Sequence, residues 1–307
     1  MTLTELRYIV ALAHERHFGR AAEKCFVAQP TLSVAVKKLE DELGVVLFER
    51  GSGEIRATPV GEIIVHQAEK VLGEAARITE LAQSAGDPLV GPLRLGAIHT
   101  IGPYLFPSLV PLLHRRAPRM LLYLHEDFTA RLVERIKAAE LDVAIVALPV
   151  NEPGLVAQPV YDEAFRVLVP ADHPWAGEVA IDAKLLTEQP LLLLGRGNCF
   201  RDQVLDLCAQ AGAGGPQVVE GSSLETIRLM VASGVGLTVM PASAVDRLAE
   251  NDSLLRARPF LPPQPSRRVG LLWRASFPRF QLIDLLREAL LDCRLSGTQP
   301  VSASPVR

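Results

Sequence analysis

The chain has 307 residues, 49% of them hydrophobic, and a formal net charge of −3. This composition is typical of a soluble globular protein of two or three domains. Four cysteines are too few for a disulfide framework, which favours the cytoplasm with free thiols. No apolar run of about 18 residues occurs and no basic leader precedes an apolar stretch, so we expect neither a membrane span nor a signal peptide.

Residues 1–58 are predicted to form a winged helix-turn-helix domain. Apolar residues recur at helical spacing in the first segment, a second short helix covers 18–25, and a third runs from Pro30 to about Leu43. Residues 48–56 predict two short strands joined by a glycine-rich turn, which is the wing.

A long linker helix is predicted over residues 59–87. Thr58 is a suitable N-cap and Pro59 a suitable first helical residue, and an apolar stripe continues for over six turns. That stripe either packs on its own domain or forms a dimer with a second copy, and we favour the dimer.

Residues 91–295 alternate strand and helix, which predicts an α/β regulatory domain with open parallel sheets and helices on both faces. We expect two subdomains, one from about 91–162 and 268–295 and the other from about 163–267. A cleft between such subdomains is a favoured ligand site. Residues 296–307 have the composition of a flexible tail. The predicted strands are 93–97, 121–126, 143–148, 165–169, 191–194, 237–240 and 269–274, and the predicted helices are 104–113, 130–139, 223–232 and 280–291.

Polar and basic side chains at the start of the third helix and on the wing suit DNA. Gln29 could read adenine and Thr31 a thymine methyl or a phosphate, while the wing arginines suit phosphates. Residues 1–56 carry eight basic and eight acidic side chains, so charge alone leaves open an ordinary three-helix motif. The candidate DNA contacts are Arg20, Gln29, Pro30, Thr31, Ser33, Lys37, Lys38, Arg50 and Arg56.

Two cysteines, Cys199 and Cys208, lie nine residues apart. If residues 201–208 are helical, a rise of about 1.5 Å per residue puts the sulfur atoms about 10 Å apart or more. A disulfide needs Cα atoms within about 7 Å, so the pair can bond only if the segment unwinds. On spacing alone, two small buried hydrophobic side chains are the simpler interpretation.

Several motifs resemble the winged helix of LysR-type transcriptional regulators. They are Phe18-Gly19-Arg20-Ala21-Ala22, Gln29-Pro30-Thr31-Leu32-Ser33, Lys38-Leu39-Glu40, Leu43-Gly44 and Leu47-Phe48-Glu49-Arg50. Further motifs resemble the hydrogen-peroxide-sensing branch of that family: Gly102-Pro103-Tyr104-Leu105, Asp172-His173-Pro174-Trp175, the Cys199 segment and Ser223-Leu224-Glu225-Thr226-Ile227-Arg228.

The resemblance implies a homotetramer built as a dimer of linker-helix dimers, which contacts double-stranded operator DNA through paired winged helices. It also implies RNA polymerase as a partner, hydrogen peroxide as the signal, and a regulatory domain like a periplasmic binding protein.

Within this resemblance, Cys199 is the peroxide-reacting residue and Cys208 the resolving one, joined in a reversible disulfide. A helix start and Arg201 would favour the Cys199 thiolate. Thr100 and Thr129 would hydrogen-bond peroxide, Asp202 would orient Arg201 or a water, and either of two adjacent arginines would stabilise the thiolate. The expected pocket is Thr100, Thr129, Asn198, Arg201, Asp202, Arg267 and Arg268.

The chain departs from the family pattern at four positions. Ala28 replaces a common serine, Phe26 a common histidine, and Glu54 puts a negative charge on the wing. Asn198 stands where the family usually has histidine, and an amide cannot shuttle a proton. We predict that Asn198 still helps to hold peroxide but gives a slower reaction.

Other functions have weaker support. A regulator of the same fold that binds a small anion in the cleft is the first alternative, and a thiol peroxidase is the second. Isolated Gly-x-Gly pieces are no dinucleotide fingerprint, and the seven histidines show no metal spacing with cysteine. We therefore expect that the protein is not an enzyme and that it binds neither a cofactor nor a metal ion.

Overall fold

The structure is a computed structural model, and it describes residues 1–49, 55–83, 87–210 and 218–301. The helices are α1 (Leu3–Glu15), α2 (Phe18–Lys24), α3 (Gln29–Leu43), α4 (Pro59–Gln83), α5 (Gly102–Arg116), α6 (Thr129–Lys137), α7 (Cys199–Gln210), α8 (Leu224–Ala232), α9 (Ala242–Asn251) and α10 (Phe280–Asp292). The strands are β1 (Phe48–Glu49), β2 (Arg56–Ala57), β3 (Gly91–Ile98), β4 (Met120–Asp127), β5 (Val143–Leu148), β6 (Leu155–Pro170), β7 (Leu191–Leu194), β8 (Val218–Gly221), β9 (Thr238–Pro241), β10 (Leu255–Pro259), β11 (Ser266–Arg274) and β12 (Thr298–Pro300).

These elements form two compact units, the N-terminal unit from α1 to α4 and the C-terminal unit from β3 onward. The predicted α/β class, with a helix-turn-helix domain followed by a long helix and a larger α/β domain, is confirmed. None of the described helices has the length and apolarity that crossing a bilayer requires.

The N-terminal unit is a helix-turn-helix with a short hairpin. The third helix, α3, begins after Ala28, which provides no side-chain cap, and ends at Gly44, whose φ of +68° is the left-handed conformation that favours glycine. Buried Glu40 on α3 accepts hydrogen bonds from the N–H groups of Leu47 (2.8 Å) and Phe48 (3.2 Å), which attaches the hairpin to this helix.

The hairpin pairs β1 with β2 in antiparallel register. Its second strand begins at Arg56, so Ile55, which the sequence places in this strand, precedes it. The predicted turn at 51–53, together with Arg50 and Glu54, lies outside the described residues.

The long helix α4 begins where the sequence predicts. The Thr58 hydroxyl accepts a hydrogen bond from the Gly61 N–H at 3.0 Å, and Pro59 is the first helical residue. Val65 and Ala68 are buried in the core of the N-terminal unit, so part of the apolar stripe packs on its own domain. Ile63 and Ile78 are exposed, so the predicted dimer contact stays a prediction.

The main sheet of the C-terminal unit is mixed. Its order is β10-β6-β11-β5-β3-β4, with β9 and β12 also pairing with β6. Strands β4, β3 and β5 are parallel, as are β7 and β8 in a separate pair, but every other pairing is antiparallel. The prediction of parallel sheets is therefore correct for three of the eight strand pairings of this unit and wrong for the other five. The reason is that β11 returns from a distant part of the chain and inserts between β5 and β6 in the opposite direction.

One continuous strand, β6, joins the two halves of this unit. Its first part, Leu155–Ala164, pairs with β11, and its second part, Phe165–Pro170, pairs with β9 and β10. A first hydrophobic core gathers around β3, β5, α5 and α10, and a second around β7, α7 and α8. The sequence predicted only the last part of β6 and missed β8, α9 and β10.

The predicted flexible tail is partly wrong. Strand β12 pairs with Tyr161–Glu163 of β6, and the Ala164 N–H donates to the Gly297 carbonyl at 2.9 Å. The composition of this segment is typical of a loop, but its strand conformation is specified by the open edge of β6. Residues 302–307 lie outside the described residues.

Gly297 provides a test of whether the segment that contains β12 packs against β6. Its φ is +65°, and an added Cβ would overlap the Cβ of Ala242. We expect Gly297→Ala to lower the free energy of unfolding of the C-terminal unit by about 2–4 kcal/mol, because backbone strain and overpacking add. Both tryptophans of the chain, Trp175 and Trp273, lie in this unit, so urea unfolding followed by tryptophan fluorescence measures it.

The control is Gly154→Ala. Gly154 has a similar φ of +79° but no atom within 4 Å of an added Cβ, so this variant isolates the backbone cost of about 1 kcal/mol. Equal losses of unfolding free energy in the two variants would contradict the packing of the β12 segment against the rest of the C-terminal unit.

Candidate redox site and nucleic-acid interface

Cys199 is the first residue of α7 and is half-buried. A turn after β7 places it there: the Asn198 side-chain amide donates to the Gly195 carbonyl at 3.1 Å, and the Arg201 N–H donates to the Asn198 carbonyl at 3.0 Å. Cys199 packs against the edge of the first core, while the next residue, Phe200, is buried in the second. The thiol therefore lies where the two halves of the unit meet.

A threonine hydroxyl contacts this thiol. Thr129 is the first residue of α6, and its Oγ1 donates to the Cys199 Sγ at 3.8 Å. Because α6 follows the carboxyl end of β4 and α7 follows that of β7, two helix starts from different halves of the unit meet at one sulfur atom. A hydroxyl can both donate and accept, so Thr129 can also hold a small polar molecule beside the sulfur.

A buried ion pair lies beside this point. Arg267 on β11 faces Glu163 on β6, with Nε and Nη2 at 2.8 and 2.7 Å from Glu163 Oε2 and side chains that are 0% and 1% exposed. The other Glu163 oxygen accepts the Ser243 N–H at 3.1 Å. Removing a carboxylate and a guanidinium from water costs free energy, and here that cost is offset because each group neutralises the other and forms hydrogen bonds with it.

Arg267 connects the first half of the unit to the start of α7. Its Nη1 donates to the Thr100 hydroxyl at 2.7 Å and its Nη2 to the Thr100 carbonyl at 2.9 Å. Its guanidinium carbon lies 5.4 Å from the ring centroid of Phe200, next to the thiol. Since Arg267 already binds the Thr100 oxygen as an acceptor, the Thr100 hydroxyl hydrogen is available to another acceptor.

Only one of the two adjacent arginines faces inward. Successive strand residues point to opposite sides, and Arg268 lies outside, where it pairs with Asp162 at 2.8 and 2.9 Å and is half-exposed. This ion pair raises the pKa of Arg268. The alternative that the sequence left open is therefore decided for Arg267, and the placement of Arg268 in the pocket is corrected.

Arg201 attaches the first turn of α7 to strands β7 and β8. Its Nη1 donates to the Leu194 carbonyl at 2.7 Å and lies 2.8 Å from the Glu220 carboxylate. Glu220 and Leu194, rather than Asp202, orient this guanidinium. The Asp202 carboxylate is exposed and has no hydrogen-bond or ion-pair partner among the residues that the structure describes. The expectation that Asp202 orients Arg201 is therefore wrong, and the Arg201 charge is shared with Glu220.

Cys208 lies at the other end of the same helix. It is buried in the second core, and burial raises the pKa of its thiol because an apolar environment disfavours the thiolate. Both cysteines are free thiols. Nine residues of helix at about 1.5 Å per residue separate them by about 13 Å, roughly twice the Cα separation that a disulfide allows.

The sequence did not reveal two further residues of this site. Gln203 lies four residues after Cys199 and therefore on the same face of α7, and its side-chain oxygen is buried without a hydrogen-bond partner among the described residues. Helical spacing from Cys199 could have indicated it. Glu163 lies 104 positions from Arg267, and no pattern in one sequence links them.

The start of α3 presents an exposed polar face. Gln29, Pro30, Thr31, Lys37 and Lys38 are exposed and Ser33 is half-buried. Among the basic residues, Lys38 lies 3.3 Å from Glu5 and Arg20 lies 3.8 Å from Glu15, and Arg56 is exposed on β2. In the described part of the chain, no group of three or more His, Cys, Asp or Glu residues is arranged to hold a metal ion.

Comparison with known proteins identifies the family. The family of bacterial regulatory helix-turn-helix proteins of the lysR type matches residues 3–62, and the LysR substrate binding domain matches residues 86–293. The chain belongs to the LysR family of bacterial transcriptional regulators.

Three relatives of this LysR-family chain are informative. A hydrogen peroxide-inducible genes activator of Pectobacterium carotovorum is 42% identical over 94% of this chain and 96% of its own length. The DNA-binding transcriptional dual regulator OxyR of Escherichia coli K12 is 40% identical over 97% of each chain. The structure of full-length OxyR C199D from Pseudomonas aeruginosa is 54% identical, covers 97% of this chain and 98% of its own, and superposes with a TM-score of 0.78.

The buried ion pair gives a stability prediction for this LysR-type regulator. We expect Glu163→Gln to lower the free energy of unfolding of the C-terminal unit by about 3 kcal/mol or more, because it leaves the Arg267 charge buried and uncompensated. Tryptophan fluorescence during urea unfolding measures the change.

Asp162→Asn is the matched control. It removes the same kind of charge from the neighbouring residue, but its partner Arg268 is exposed, so we expect little change. Similar losses of unfolding free energy in both variants would show that the Arg267–Glu163 contact is not the buried ion pair described above.

Proposed function

We propose that this regulator senses hydrogen peroxide through Cys199 and converts oxidation into a change of shape through a Cys199–Cys208 disulfide. One observation carries the proposal: the two free thiols lie at opposite ends of one intact helix, Cys199 half-buried beside a hydroxyl and Cys208 buried in a core. A bond between them is incompatible with α7 as a helix, so oxidation has a structural consequence.

The first step uses the groups around Cys199. The Cys199 thiolate attacks one peroxide oxygen, the O–O bond breaks, and Cys199 sulfenic acid forms while the departing hydroxide takes a proton to become water. Thr100, Thr129 and Asn198, together with Gln203, are the hydrogen-bonding groups that would hold peroxide. Arg267 positions Thr100, since it binds both oxygens of that residue.

The second step requires α7 to open. Cys208 leaves the second core, its sulfur attacks the sulfenic sulfur, and water is lost as the disulfide forms. Unwinding of α7 would also remove Phe200 from Arg267 and Arg201 from Glu220. These lost contacts are the means by which a local bond would alter the rest of the C-terminal unit.

We further propose that paired winged helices contact operator DNA through the α3 face, with Arg20, Lys37, Lys38 and Arg56 at phosphates and Gln29, Thr31 and Ser33 at base edges. In this proposal α4 pairs two copies, two such dimers form the homotetramer, and RNA polymerase is the downstream partner. The protein works in the cytoplasm, where its DNA lies, and turns over no substrate.

The disulfide is tested by titrating the reduced protein with peroxide and mapping peptides without reductant. We expect a Cys199–Cys208 peptide at micromolar peroxide, loss of all reaction in Cys199→Ser, and a trapped or overoxidised Cys199 in Cys208→Ser. Cys25→Ser and Cys293→Ser serve as controls and should leave the bond unchanged. Overoxidised Cys199 without the bond in the unmodified protein would contradict the proposal.

Asn198 is tested by restoring histidine. Because an imidazole can transfer a proton and an amide cannot, we expect Asn198→His to speed the reaction of Cys199 with peroxide by about tenfold or more. Stopped-flow tryptophan fluorescence or rapid thiol trapping measures the rate. Equal rates for both proteins would show that Asn198 is a neutral replacement whose role is the hydrogen bond to Gly195.

A further inference from the structure

The exposed face of α3 carries a large apolar side chain, Val34, beside polar and charged ones. Val34 is 68% exposed, whereas Leu32, Val36 and Leu39 on the other faces of the same helix are buried. Its neighbours at helical spacing are Pro30, one turn before, and Lys37 and Lys38, one turn after, and all three are exposed. Val34 therefore lies in the middle of the face proposed to meet DNA.

Helix stability does not explain a valine at this position. A β-branched side chain loses rotamer freedom in a helix and forms helix less well than alanine or a long polar residue. Because Val34 contributes to no core of the N-terminal unit, packing does not explain it either. The residue is better explained by a surface that covers it when the protein acts.

The chemistry of the major groove indicates which group of the DNA would contact Val34. Phosphate oxygens and the polar edges of bases need hydrogen-bond donors or acceptors, which valine lacks. The thymine C5-methyl group is the apolar feature that the groove offers. We propose that Val34 is a specificity-determining residue that contacts the C5-methyl group of a thymine in the operator. The proposal rests on the DNA interface proposed above.

Charge on the same face supports this orientation. Lys37 is exposed, lies one turn from Val34, and has no ion-pair partner among the described residues, unlike Lys38, which lies 3.3 Å from Glu5. A phosphate at Lys37 would hold the helix against the backbone with Val34 toward the bases. Of the three acidic side chains of α3, Glu40 is buried against the hairpin, Glu42 pairs with the Met1 amine at 2.6 Å, and Asp41 is exposed two turns beyond Val34, near the C-terminal end of the helix.

The test replaces thymine by uracil, which removes only the methyl group. A duplex enriched by the reduced full-length protein from a random-sequence pool serves as the probe, and each thymine is replaced by deoxyuridine in turn. We expect at least one replacement per half-site to weaken binding about fourfold, the equivalent of about 0.8 kcal/mol for one methyl group. In Val34→Ala the same replacement should have no further effect.

Two other variants make the result specific. Val46→Ala is the matched control, because Val46 is 61% exposed but lies after the C-terminal end of α3, and it should keep the full uracil penalty. Phe26→Ala tests an exposed apolar residue close to the start of α3, since Phe26 is 95% exposed and lies two residues before the Ala28 N-cap.

The outcomes separate the two proposals. Binding that is insensitive to uracil at every thymine overturns the inference and leaves the DNA interface intact. A uracil penalty that persists in Val34→Ala but disappears in Phe26→Ala overturns the assignment to Val34. Failure of the unmodified protein to enrich any duplex overturns the DNA interface itself and the inference with it.

Discussion

The helical state of α7 is the constraint on which the proposed switch depends. As long as its backbone is helical, the rise of about 1.5 Å per residue keeps the Cα atoms of Cys199 and Cys208 about 13 Å apart along the helix axis. The two ends of the helix are anchored in different ways: Arg201 binds the Leu194 carbonyl and the Glu220 carboxylate at the start, and Cys208 is buried in the second core near the end. The reduced protein thus keeps two reactive partners apart with ordinary packing and hydrogen bonds.

The buried pair of Arg267 and Glu163 makes this helix part of a larger structure. The two residues oppose each other on β11 and β6, and from there Arg267 reaches both Thr100 and the ring of Phe200. Glu163 in turn accepts the N–H at the start of α9, and β12 pairs beside it. In the proposed switch, a change at α7 would therefore reach an ion pair whose disruption is strongly destabilising, which favours a discrete rearrangement over a gradual one.

The sequence predicted the elements whose signals are local. The caps of α3 and α4 follow from Pro30, Gly44 and Thr58, and β5 and β7 follow from apolar runs. What it missed depends on long-range partners: the direction of β11, the first part of β6, and β12, whose composition alone is typical of a loop. The same holds for the site. Cys199 is recognisable from its motif, whereas the inward side chain of Arg267 and its pairing with Glu163 arise only when two strands are brought together.

In the proposed mechanism, the stability of α7 also sets a competition between disulfide formation and overoxidation after the first oxidation step. Within the intact helix Cys208 is inaccessible, and its burial raises the pKa of the thiol and so disfavours the nucleophilic thiolate. Its attack must wait for local opening, while further peroxide can oxidise the Cys199 sulfenic acid irreversibly. Each 1.4 kcal/mol added to the opening free energy of α7 lowers the open population about tenfold and favours overoxidation by the same factor. If the proposed mechanism holds, the contacts of Arg201 and Phe200 that keep α7 helical also determine the peroxide concentration at which overoxidation overtakes disulfide formation.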